Sequence, residues 1–205
     1  MKNSITILML MFLLSCNNVA THEQNQNALA NPFSAFIEKN KIIELPFVYS
    51  YNNGESKFNY DEMKTIDSNS SDTLFVKNKD GVKCYGILPD TSKYFSIIYF
   101  YPAEVYYPVV VTYSKSGQLI DELRLNLGGC GEDCGLEQCT EFSRIDNDLT
   151  IFSADTIKWE FLCDSIGEPI PKSGVIWIDT KSGRFTNEGR FVMTKDKHQE
   201  VKYNR

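Results

Sequence analysis

The chain has 205 residues, 42% of them apolar and 23% charged, with a formal net charge of -6. That balance is the composition of a folded globular chain. The acidic charge, with no basic stripe, argues against a nucleic-acid partner.

Met1-Lys2-Asn3 is a short cationic start, and residues 5–14 form an apolar run broken only by Thr6. At about 1.5 Å per residue the run is too short to cross a hydrocarbon core of about 30 Å, and it fits the apolar region of a secretory signal. Leu13-Leu14-Ser15-Cys16 resembles the bacterial lipobox. That resemblance implies a signal over residues 1–15 and a diacylated, N-acylated Cys16 that ties the chain to a membrane. Residues 16–31, rich in Asn, Gln, Ala and Thr and free of aromatics, read as a flexible tether. They lack an early aspartate resembling an inner-membrane retention signal, and the dense acidic run resembling the surface-export signal of Bacteroidota lipoproteins. The expected place is the cell envelope, at the outer membrane facing the periplasm, with surface exposure left open.

Residues 32–205 are expected to form one all-β domain. Pro32, Phe33, Phe36 and Ile37 suit one or two helical turns acting as a lid. From Ile42 the apolar period changes to two, through Ile43, Leu45, Phe47, Tyr49 and Tyr51, and Pro46 lowers this run to an edge strand. A single helical turn is expected within 60–66, then a polar loop over 67–72. Strands are expected at 74–77 and 82–88. The runs 94–101 and 107–113 are apolar on both faces and so read as central strands. Ser114-Lys115-Ser116-Gly117 turns the chain into 118–127, the clearest hairpin. Further strands are read at 142–145, 149–152 and 157–163, with a loop over 164–171. The last pair, 175–179 and 184–193, is expected to turn at Lys181-Ser182-Gly183. A loose basic tail follows from about Lys195. About ten to twelve short strands joined by short connections predict an antiparallel meander: a sandwich, a barrel or a partial propeller.

Several pieces resemble uncharacterised small lipoproteins of Bacteroidota: the run from Tyr106 to Gly117, Ile120-Asp121-Glu122-Leu123, Gly128-Gly129-Cys130-Gly131 and Asp155-Thr156-Ile157. The resemblance implies compartment and fold class and carries no activity.

Five cysteines follow Cys16 in the chain: Cys84, Cys130, Cys134, Cys139 and Cys163. An exported chain meets oxidising machinery, so disulfides are expected. The gaps between Cys130, Cys134 and Cys139 do not match the two-residue spacing of structural zinc sites. Cys130, Cys134, Cys139 and Cys163 allow three connectivities. The preferred one joins Cys130 to Cys139 and Cys134 to Cys163, leaving Cys84 as a small apolar residue. The acids Glu132, Asp133 and Glu137 depart from the calcium-loop pattern and read as solvated charges.

Chemistry is sparse. Of two histidines, His22 lies in the tether and His198 in the tail, and neither position offers the rigid scaffold that a nucleophilic centre needs. A Gly-x-Ser-x-Gly elbow, a phosphate loop and a histidine-pair metal motif are all missing. Glu104, Asp121 and Glu122, near the aromatic strands, keep a carboxylate-pair hydrolase as the alternative. Tyr99, Tyr101, Tyr106 and Tyr107 crowd one region, where rings either line a binding surface or pack the core. Asp72-Thr73-Leu74, Asp155-Thr156-Ile157 and Asp164-Ser165-Ile166 look like O-glycosylation acceptors of Bacteroidota exported proteins. The expected role is a lipid-anchored, non-enzymatic binding module for a glycan, a peptide or an envelope protein, without metal or cofactor.

Overall fold

A computed structural model describes residues 32–53, 55–66, 71–76, 80–90, 92–131 and 134–203. The signal, Cys16, the tether, Glu132 and Asp133 lie outside them. The fold is all-β. In chain order come α1 (Pro32–Glu38), β1 (Phe47–Asn52), β2 (Glu55–Ser56), β3 (Lys64–Thr65), β4 (Lys83–Ile87), β5 (Phe95–Tyr101), β6 (Tyr107–Tyr113) and β7 (Leu119–Arg124). They are followed by β8 (Leu136–Ile145), β9 (Thr150–Trp159), β10 (Leu162–Cys163), β11 (Pro169–Ile170), β12 (Val175–Phe185), β13 (Phe191–Met193) and β14 (Lys197–Lys202).

The chain builds two antiparallel sheets and a small hairpin, β10–β11. The five-stranded sheet is a simple meander, β3 to β7 in order. The seven-stranded sheet runs β13-β12-β9-β8-β1-β2, with β14 also on β12. β5 and β6 are buried on both faces because the small sheet is the middle of three layers. Tyr99, Tyr101, Val109, Val111 and Tyr113 face Phe33 and Phe36 of α1. Ile98, Phe100 and Val110 pack on Phe47, Tyr49, Ile145 and Phe185 of the large sheet. Each such side chain, fully buried, contributes about 1.5–3 kcal/mol. A smaller cluster of Cys139, Ile157, Trp159 and Val175 fills one end of the large sheet.

Four local expectations are corrected. Residues 71–75 form a 3-10 helix where a strand was expected from Leu74. Phe75 and Val76, neighbours in sequence, both turn into the cluster under α1, which a strand's alternation forbids. β9 is one strand where two were read, because its polar middle, Ser153 and Asp155, faces inward. β12 runs straight through Lys181-Ser182-Gly183. Gly183 serves close packing there: a Cβ would stand 2.1 Å from Met193 Sδ. The turn comes later, closed by Thr186 N–H donating to Arg190 O at 2.7 Å. Finally, the basic tail is β14, paired with residues 175–180 of β12. Its side chains are exposed, and the backbone ladder, the contact of His198 with Asp179 and Tyr203, whose hydroxyl donates to Trp159 O at 2.7 Å, order it.

Candidate functional site

After β7 the chain leaves the small sheet and crosses the inner face of the large one as a strap, residues 125–131. What it crosses explains its sequence. In register, the inward pairs on β8 and β9 read Ile145–Ile151, Ser143–Ser153, Glu141–Asp155 and Cys139–Ile157. The middle two pairs are polar and buried. Ser143 Oγ donates to Leu125 O at 3.0 Å, and Ser153 Oγ donates to the same carbonyl. Asn126 Nδ2 donates to Glu141 Oε2 at 2.6 Å, and Gly129 N–H to Asp155 Oδ2 at 2.7 Å. The Cys130–Cys139 disulfide, Cα–Cα 5.6 Å, fastens the end of the strap. A second bond joins Cys134 to Cys163 at the base of the β10–β11 hairpin, Cα–Cα 6.1 Å. Cys84 is free and buried, its thiol donating to Asn40 Oδ1 at 3.0 Å, and burial pushes it up to about 12.

The polar row continues sideways. Asp155 lies opposite Asp179 on β12, and Asp179 opposite His198 on β14. At the other end, Glu141 lies opposite Tyr51. Three acids thus stand side by side on adjacent strands, an arrangement that like-charge repulsion disfavours. Burial, then Glu141 and Asp179, push the Asp155 carboxyl up to about 6, against the pull of Gly129 N–H and Arg124. Its Oδ1 is buried with no hydrogen-bond partner among the described residues.

The strap divides two cavities. The first, about 520 Å³, is a cleft between the sheets lined by Tyr51, Tyr106, Tyr107, Arg124, Glu137 and Glu141, among others. Arg124 is held flat: Nε donates to Asn126 Oδ1 at 2.8 Å, and the guanidinium lies 4.4 Å over the Tyr107 ring. Gly128, at φ +80, makes room, since a Cβ there would meet Arg124 Nη2 at 2.3 Å. The terminal nitrogens of Arg124 make no hydrogen bond among the described residues. The second cavity, about 490 Å³, is lined by Glu122, Asp155, Asp179, Lys181, Met193 and Asp196, among others.

The residues expected to carry a site are scattered. Tyr99 and Tyr101 are buried in the cluster under α1, 0% and 4% exposed. Tyr106 and Tyr107 do line it. Glu104 faces the cleft and Glu122 the second cavity, while Asp121 is occupied by the N–H groups of Glu122 and Phe191. His198 stands on a paired strand, with Nδ1 2.8 Å from Asp179 Oδ1, which corrects its expected place in a loose tail. Glu137 is bound by Lys158 at 2.8 Å. Of the triplets, Asp155-Thr156-Ile157 is inside β9, Asp164-Ser165-Ile166 is an exposed turn, and Asp72 is buried against Lys64 at 2.6 Å. Arg124, Asn126, Glu141, Asp155 and Asp179 were not expected. The legible signal was an acid at an inward position of the alternating run Ile151, Ser153, Asp155, Ile157.

Among the described residues no group of three or more His, Cys, Asp or Glu is placed to hold a metal ion. None of their helices is long and apolar enough to cross a membrane. A scan against protein-family models and searches of curated proteins and of solved structures return no significant match.

Proposed function

We propose that the chain is a lipid-anchored, non-enzymatic binding module of the cell envelope, and that the cleft between its sheets is the binding site. The observation that carries this reading is Arg124, locked over Tyr107 with its terminal donors unused at the wall of the cleft. A planar fork held in advance loses little freedom on binding, and tyrosine rims suit glycan or peptide surfaces. The rival carboxylate-hydrolase reading gains from the raised Asp155 carboxyl beside Glu141. It loses on that pair because Glu141 lines one cavity and Asp155 the other, so a hydrolase would have to use Asp155 with Asp179 in the second cavity.

The test applies the detergent-solubilised mature chain, beside Arg124→Ala, to arrays of envelope glycans and peptides. Retention that falls at least tenfold in the variant, with the bound molecule recovered intact, supports the module. Cleavage of the bound glycan would replace it with the hydrolase. The anchor is tested separately by metabolic palmitate labelling. Label that disappears in Cys16→Ala, with release of the protein from membranes, supports the anchor; unlabelled wild type sinks it.

A further inference from the structure

The second cavity lies across the strap from the cleft and shares Arg124 and Asn126 with it. Its walls carry Glu122 from β7, Asp155 from β9, Asp179 from β12 and Asp196 beyond β13. Two of its lining side chains are cationic, and each has a partner, with only the terminal nitrogens of Arg124 making no hydrogen bond among the described residues. Lys181 is paired with Asp196 at 3.0 Å, and Arg124 is bonded to Asn126 and stacked on Tyr107, a cleft residue. An acidic lining alone would be unremarkable surface. The second observation is Asp155 itself, 1% exposed, with Oδ2 held by Gly129 N–H and Oδ1 buried and without a hydrogen-bond partner among the described residues. Buried carboxylate oxygens in native folds have partners as a rule, and this one faces a cavity with room for a donor.

We propose that this cavity binds an organic cation, a protonated amine on an aliphatic stem. The ammonium sits between Asp155 and Asp179, and the stem lies along Leu123 and Met193. Facing side chains on paired antiparallel strands stand about 5 Å apart at Cβ, close enough for one ammonium to donate to both carboxylates. A compact cation with three donors suits this pair better than a metal ion, for which the described residues offer no three-ligand group.

The site carries its own pH dependence. Asp155 is faced by Glu141 from β8, by Asp179 from β12 with His198 of β14 behind it, by Arg124 at the end of β7 and by Gly129 N–H from the strap. Glu122, Lys181 and Asp196 complete the surrounding charges. With the carboxyl titrating near 6, an arriving ammonium displaces a proton, so affinity falls as pH drops below 6. Binding should be about tenfold weaker at pH 5 than at pH 7.5.

The experiment is a ¹H–¹⁵N chemical-shift titration of the mature chain with spermidine, with a tri-lysine peptide and with calcium chloride, at both pH values. Saturable shifts of the Gly128 and Gly129 amides with an amine are expected. The arm that binds more tightly identifies polyamine or lysine side chain as the source. Affinity should fall at least tenfold in Asp155→Asn, which keeps an acceptor for Gly129 N–H, and likewise in Asp179→Asn. Ser165→Ala, in the exposed turn between β10 and β11, should leave it unchanged. The proposal is overturned by the absence of saturable shifts with both amines, by affinity equal at the two pH values or unchanged in both carboxylate variants, or by calcium giving the same shifts at lower concentration.

Discussion

Asp155 concentrates the physics of the site in one side chain. Its carboxyl titrates near 6, raised from 3.8 by burial and by the neighbouring acids. A raised folded-state pKa in an acid means that the folded chain holds its proton more tightly than the unfolded chain does. Stability is therefore highest below about pH 4 as far as this group is concerned, and is lost as pH rises from 4 through 6. A rise of this size costs the fold on the order of 1–3 kcal/mol once the carboxyl is ionised. Asp155→Asn removes the penalty and keeps the acceptor for Gly129. Urea unfolding should show the variant more stable than wild type by about 1–2 kcal/mol at pH 8 and equal to it at pH 4. A variant less stable at pH 8 would mean that the ionised carboxylate is an asset to the fold.

At the scale of elements, glycines and disulfides set the paths of strap and strands. Gly183 lets β13 close on β12, since an added Cβ would meet Met193 Sδ at 2.1 Å and Val192 O at 2.7 Å. Gly183→Ala should cost about 1–3 kcal/mol by overpacking, read as a lower thermal midpoint. A midpoint matching wild type would show the contact to be loose. The two disulfides close loops of different length, with sequence separations of 9 and 29. In the chain-entropy picture they contribute about 2–3 and 3–4 kcal/mol respectively. Replacing both partners of Cys134–Cys163 by alanine should therefore destabilise more than the same change at Cys130–Cys139, judged by denaturant midpoints. The reverse order would place the greater strength at the strap.

Elements also show how far the chain was legible. β5 and β6 were readable because burial on both faces leaves a continuous apolar run, and 114–117 because its turn chemistry is local. β14 was not, because its side chains are solvated and its order comes from the ladder of β12. The Lys181-Ser182-Gly183 turn was misread because a glycine that yields space and a glycine that turns a chain look alike in sequence. The site was the least legible part. Glu141, Asp155 and Asp179 lie on separate strands, and only register makes them neighbours. Tyr106 and Tyr107 reached the cleft while Tyr99 and Tyr101 did not, although Tyr101 and Tyr107 are cross-strand partners on one face.

For the whole molecule, the three layers assign distinct duties. α1 and the five-stranded sheet form the hydrophobic body. The large sheet carries the polar row, and the strap joining the two sheets separates the cleft from the acidic cavity. An open, preorganised cleft, with a guanidinium whose terminal nitrogens make no hydrogen bond among the described residues, is an arrangement for holding a ligand. The most direct measurement is calorimetric titration of the array-selected ligand into wild type and Arg124→Ala at pH 7.5. Binding should be at least tenfold weaker in the variant, with the fold retained and the thermal midpoint lowered by no more than about 10 °C for the lost contacts to Asn126 and Tyr107. Equal affinity in both proteins would contradict this and move the binding surface out of the cleft.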